Sequence, residues 1–212
     1  MSEKRVFNPL DKKSLGLSVA DALLSEPVEL LGNLKPFRGA GIYAIYYRNG
    51  FPAYAPLAGE NRDNFVHPIY VGKAVPAGSR KGRIDAEVDR SQVMFRRLRE
   101  HAESVRQVED YAARQRGVEM IRIDEFFCRY LLVDDIWIPL GESVLIDQFK
   151  PIWNKIVDGF GNHDPGGGRY NQQRSAWDTL HPGRPWAAKC KPFSKSRDEI
   201  LAALERFFAE RP

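Results

Sequence analysis

Seven polar residues, set in order along the chain, are of the types that hydrolysis of a phosphodiester uses: Tyr43, Tyr70, Lys73, Arg97, His101, Glu142 and Asn154. That reaction needs a water made nucleophilic, a neutralised phosphate and a stabilised leaving oxygen. A phenol is a poor base near neutrality, because its ordinary pKa is about 10. It becomes a base only where cations favour the phenolate, and Lys73, Arg97 and a bound metal are the cations on offer. Arg97 suits a phosphate clamp, since a guanidinium brings charge and a bidentate fork that lysine lacks. His101, one helical turn on, is placed to hydrogen-bond a tyrosine or to pass its proton to solvent. Glu142 follows Gly141 among apolar residues as a lone carboxylate. One such carboxylate, with waters and phosphate oxygens, suits a single Mg2+ (or Mn2+) per site. Taken alone, Glu142 is a glutamate favoured by a helix dipole, and the tyrosines are half-buried strand residues. The ordered series is what tips the balance.

The elements that must position these residues are legible in outline. Gly41 to Tyr47 is β-branched and aromatic, with Asn49-Gly50 after it as a turn signal. Ile69 to Val71 is the second strand, and Gly50 to Pro68 between them, rich in Pro, Gly and Asn, is expected to be an inserted loop. Ser91 to Arg116 is helical in character; Met94, Leu98 and Val105 form its apolar stripe, and Arg97 and His101 share a neighbouring face. Ile121 to Val133 alternates like a strand. Pro139 suits the first turn of a helix carrying Glu142, Leu145, Ile146 and Phe149, which Pro151 stops. The order β-β-α-β-α predicts an α+β fold: a small three-stranded antiparallel or mixed sheet flanked by helices. Upstream, Ser18 is expected to cap a helix through Leu23 and Leu24 that ends before Pro27. Downstream, Asp158 to Pro192 lacks periodicity and is too long for an idle connector, while Trp153, Trp177 and Trp186 argue that it is ordered. Ser196 and Glu199 form a capping box opening a last amphipathic helix with Ile200, Leu201, Leu204 and Phe207 inward. The expected divisions are an N-terminal arm and helix (1–38), a catalytic core (39–157, with the loop 50–68) and a DNA-contacting extension with the last helix (158–212), all one compact unit.

Composition bounds the function. The 212 residues are 43% hydrophobic, with a formal charge of +4 and a pI near 9.1. No apolar run approaches a membrane span. The charged start Met1 to Arg5 predicts no secretory leader, and Cys128 and Cys190 are too isolated for a disulfide framework or zinc site. A bacterial cytoplasmic setting is expected. Basic residues cluster at Arg80 to Arg83, Arg90 to Arg99 and Arg169 to Arg197, whereas acidic ones gather in Glu103 to Glu125 and the last helix. A basic face with an acidic back is the footprint of a DNA-binding protein.

Gly41-Ile42-Tyr43 and Tyr70-Val71-Gly72-Lys73, with the later Arg97, His101, Glu142 and Asn154, resemble the GIY-YIG nucleases from about Gly41 to Asn154. The resemblance implies Tyr43 as general base, Tyr70 orienting phosphate or water, Lys73 contacting phosphate or leaving oxygen, Glu142 on the metal, and Asn154 as a buried amide holding the site together. The segment between the tyrosines is longer than in the compact family pattern. A free-standing chain with such an insertion and a Gly/Arg/Asn/Gln-rich tail is similar to the family's type II restriction endonucleases. Gly159 to Gly166, and Trp177 to Arg184, resemble the subgroup that reads CCGCGG. Double-stranded DNA as substrate and a homodimer on a palindrome follow from that resemblance, without a membrane or small-molecule cofactor. Arginine bidentate to guanine is the commonest base contact. Arg80, Arg83, Arg169 and Arg174, with Asn162, Asn171, Gln172 and Gln173, are accordingly the candidate DNA contacts. His163 reads as a turn histidine. A structure-selective repair nuclease and a non-catalytic DNA-binding protein are the alternatives.

Overall fold

Gly41–Tyr47 is buried along its whole length, and its side chains split by parity between two cores. This strand, β2, sends Tyr43, Ile45 and Tyr47 to one face and Ile42, Ala44 and Tyr46 to the other, as the two-residue period of a strand requires. Both faces are covered, so the run carries no polar alternation. The computed structural model describes residues 11–75, 92–115 and 121–211.

Around β2 the sheet is antiparallel and four-stranded, in the order β1-β4-β2-β3, with β1 at Glu29–Leu30, β3 at Tyr70–Ala74 and β4 at Phe126–Leu132. The expected three strands are joined by a two-residue edge strand, too short to carry a sequence period. On the first face lies α3 (Val93–Ala113), burying Met94, Leu98, Ala102, Val105 and Val108. The C-terminal residues Trp153, Trp177, Leu180, Ile200 and Leu204 close the same core. On the second face, α1 (Lys12–Ser25) and α4 (Ile138–Phe149) pack with Ala20, Leu23, Ile138 and Leu145. Each large apolar side chain so buried stabilises the fold by about 1.5–3 kcal/mol.

Three expectations about these elements are corrected. The first helix begins at Lys12 rather than at Ser18, with Asp11 at its cap position and no side-chain cap bond; it ends at Ser25, before Pro27. The residues between Gly50 and Pro68 are no plain loop. They hold a 3-10 turn, Pro52–Tyr54, and α2, Ala55–Glu60, and they bury Phe51, Tyr54 and Leu57. Those apolar side chains belong to this chain's own core. The third long strand starts at Phe126, because Ile123–Glu125 forms a 3-10 turn. Asp158 to Pro192 is ordered around α6 (Ala176–Leu180), with Ser175 capping it through the Asp178 amide. The last helix, α7 (Arg197–Ala209), carries the expected capping box of Ser196 and Glu199. α4 ends as its sequence implies, with Lys150 left-handed at φ 44° and Pro151 next.

Candidate active site

The central sheet brings the two tyrosine segments together directly. Tyr43 on β2 is paired with Gly72 on β3, and Ile45 with Tyr70. Gly72 is needed at that point: a Cβ there would lie 2.5 Å from the Tyr43 hydroxyl and 2.9 Å from the Tyr70 ring. The phenol of Tyr43 thus crosses β3 where no side chain stands in its way. Its hydroxyl is 2.6 Å from Nε2 of His101, on the buried side of α3. The ring centroids of Tyr43 and Tyr70 are 6.3 Å apart, and those of Tyr70 and His101 are 5.2 Å apart.

A cleft of about 640 Å³ opens beside this cluster, lined in part by Tyr70, Lys73, Arg97, Glu100, Glu142 and His163. Tyr70, Lys73, Arg97 and Glu142 are therefore on one wall system, as the series predicts. Tyr43 is fully buried behind Tyr70 and does not line it. Lys73 and Glu142 form an ion pair, Nζ to Oε2 at 2.6 Å, so the lysine reaches the carboxylate as well as the cleft. Arg97 donates to the Gly161 carbonyl at 2.6 Å and to Glu100 at 3.2 Å, and it contacts the ring of His163. His163, expected to be a turn residue, stands at the cleft mouth. Asn154 does its work one element away. Its Oδ1 accepts from Val71 N–H at 2.8 Å and its Nδ2 donates to Val71 C=O at 2.9 Å. The side chain acts as a one-residue strand on the free edge of β3; it is half-buried rather than fully buried.

Burial sets the protonation states. It pushes the Tyr43 phenol well above its ordinary value, with Tyr70 adding to the rise and Arg97 opposing it. Tyr70 is also raised by burial, with Arg97 lowering it and Glu142 adding to the rise. His101 is held well below its usual value by burial and then by the charges of Arg97, His163 and Arg184. The cations of the chain do not by themselves create a phenolate. What they and burial create is a neutral imidazole hydrogen-bonded to a protonated phenol, which is a proton acceptor behind a proton donor.

Among the described residues no group of three or more His, Cys, Asp or Glu side chains could cage a metal ion. The cleft carboxylates Glu142 and Glu100 are each paired with a cation, Lys73 and Arg97, and Glu142 is the more enclosed, its side chain 20% exposed against 53%. A hard divalent ion that keeps most of its waters fits such a donor.

Of the candidate DNA contacts, Arg80 and Arg83 lie outside the described residues. Asn162, Arg169, Asn171, Gln172 and Gln173 are exposed. Arg174 turns inward to the Cys190 carbonyl at 3.4 Å, in a segment clasped to Lys191 by Arg174 N–H and Gln172 C=O. Sequence reasoning missed Arg184 as a structural residue. It is 2% exposed, paired with Asp178, and stacked between Trp177 and Trp186. The signal available was its place within nine residues of two tryptophans in an otherwise polar stretch.

No curated protein matches the chain. The family model described as the Eco29kI GIY-YIG domain matches residues 35–208, which takes in both tyrosine strands, α3, α4 and the Arg184 segment. With that match spanning most of its length, the chain belongs to the Eco29kI GIY-YIG family, a family of restriction endonuclease domains.

Proposed function

We propose that the protein is a type II restriction endonuclease that hydrolyses both strands of DNA at a short palindrome, with CCGCGG as the candidate sequence. The reading is supported above all by the Tyr43 to His101 hydrogen bond of 2.6 Å behind a cleft that holds Tyr70, Arg97, Lys73 and Glu142 together. A palindrome calls for a two-fold dimer in which each subunit cuts one strand. Glu142 is the residue to hold Mg2+, which when bound supplies Lewis-acid neutralisation of the phosphate and of the leaving oxygen.

The chain's own residues account for the proton. Water attacks phosphorus as the bond to the leaving oxygen breaks. Because Tyr70 faces the cleft and Tyr43 lies behind it, the water's proton passes to the Tyr70 hydroxyl, whose own proton moves to Tyr43 and from there to neutral His101. This shifts the first proton contact from Tyr43, the expected base, to its neighbour. Arg97 neutralises the non-bridging oxygens through its guanidinium fork, and Lys73, once off Glu142, reaches phosphate.

The test is a plasmid digest with Mg2+. Discrete fragments with mappable ends are expected, and Glu142→Gln should abolish them while DNA binding persists. Cutting that survives in Glu142→Gln removes that residue from the metal role. Nicks at unrelated or branched sites would instead indicate a repair nuclease, and a retarded but intact plasmid a binding protein.

A further inference from the structure

We propose that Arg184 is a positioning residue for the site, which fixes Arg97 and His101 through the loop Gly159 to His163. The inference rests on the nuclease reading only for its kinetic arm.

A guanidinium has five N–H donors in a fixed fork. In Arg184 every one finds an acceptor. Nε and Nη2 grip the two oxygens of Asp178 at 2.6 and 2.7 Å. The remaining donors go to three carbonyls of one loop: Nη2 to that of Gly159 at 2.9 Å, Nη1 to those of Phe160 at 3.1 Å and Asn162 at 3.0 Å. The plane is clamped between the rings of Trp177 and Trp186, 4.5 and 4.7 Å from their centroids. Asp178 is itself buried and also accepts from the Ser175 hydroxyl at 2.6 Å. A buried charge is tolerated only when paired and fully hydrogen-bonded, and here both partners are.

Between those carbonyls lies that of Gly161, which accepts instead from Arg97 Nη2 at 2.6 Å. The loop's one large side chain, Phe160, stacks on the His101 ring at 4.5 Å and 20°. Arg184 touches neither catalytic candidate, yet it sets the two groups that hold them. Gly161 is confined for the same reason: a Cβ there would sit 2.5 Å from the Tyr70 hydroxyl and 3.3 Å from Arg97 Nη2. Lysine at 184 would keep the charge toward Asp178 but has neither the plane to stack nor the fork to hold three carbonyls.

The experiment compares wild type with Arg184→Lys in the full chain. Side-chain 15N spectra without DNA or metal report His101 and Arg97 directly. Loss of the sharp His101 Nε2 and Arg97 Nε signals, together with a kcat lowered about 10- to 100-fold at nearly unchanged DNA affinity, is expected from a displacement of this size. Phe160→Leu should lower kcat, and adding Arg184→Lys to it should cost little more, because the two act in one chain. If Arg184→Lys does not fold, Arg184→Met with Asp178→Leu replaces the buried pair by apolar groups and carries the same readouts. A folded variant with a lower melting temperature but wild-type spectra and wild-type kcat overturns the proposal. Should the wild type fail to cut DNA at all, the nuclease reading falls, while the spectra still decide whether Arg184 positions Arg97 and His101.

Discussion

Tyr43 and His101 divide between them what neither does alone. A phenol raised well above its ordinary value is a weak acid, and an imidazole held well below 6.5 is a poor cation. In the proposed mechanism this pair, joined at 2.6 Å, takes up the proton of the attacking water, with the imidazole lowered by burial and so unprotonated in the neutral range. The sign is set by His101. Its acceptor form is lost only as pH falls through its lowered pKa, while the tyrosines keep their protons on the alkaline side. The kcat/KM for cleavage, which reports the free enzyme, should therefore stay flat from about pH 9 down to about pH 6.5, where an unperturbed histidine would already titrate. A half-loss centred at or above that point would remove His101 from the proton path. Tyr43→Phe, which deletes only the hydroxyl, should slow cleavage by about 10²- to 10⁴-fold with binding retained. These residue types and their order were legible in the sequence. Their protonation was not, because it depends on burial that no local pattern states: burial raises both phenols, against the lowering effect of Arg97.

At the scale of elements, β3 at the edge of the sheet is the strand that brings Tyr70 and Lys73 to the cleft. It is an edge strand carrying Tyr70 and Lys73, and an edge strand leaves a row of backbone groups unpaired. Asn154 meets two of those groups at Val71, and Trp153 N–H meets a third at the Ile69 carbonyl, 3.0 Å away. Replacing Asn154 with Leu should cost about 1–3 kcal/mol in denaturant unfolding and slow cleavage, since Tyr70 loses its register. Asn154→Leu with unchanged stability and rate would mean that the strand holds itself. Long elements with a strong period were readable: β2 from its aromatic and β-branched run, α3 from its stripe, α7 from its capping box. Short ones were not. β1 has two residues and no period, and Pro52 to Glu60 hides its helices in a composition of Pro, Gly and Ala that reads as loop. Arg184 escaped because an arginine is normally a surface residue; only the pairing with Asp178 and the two tryptophans reveals it as core.

For the molecule as a whole, a chain of net positive charge keeps that charge off its two fully buried histidines. His101 and His181 are both buried and nearly unexposed. Burial lowers His101 strongly, and burial followed by the charge of Arg197 brings His181 to about 3. His181 is fixed as a neutral ring by Tyr54, whose hydroxyl is 2.7 Å from its Nε2 and also accepts from Trp153 Nε1 at 2.9 Å. In the unfolded chain both histidines titrate near 6.5, so unfolding takes up protons that the folded state refuses. Stability is fully present above that value and falls as pH drops below it, with each histidine contributing about 1.4 kcal/mol per pH unit once the unfolded form is protonated. Glu125 opposes this as pH falls through its raised pKa, since burial favours its protonated form in the folded state. Urea unfolding between about pH 8 and pH 5.5 should therefore show a loss of a few kcal/mol, with most of it below about pH 6.5. His181→Phe keeps the ring in the aromatic cluster and removes one of these protons, so it should make the slope below that point shallower by up to about 1.4 kcal/mol per pH unit, while His67 and His163, also lowered by burial, keep their share. A slope unchanged by that substitution would place the acid sensitivity elsewhere than in the buried rings.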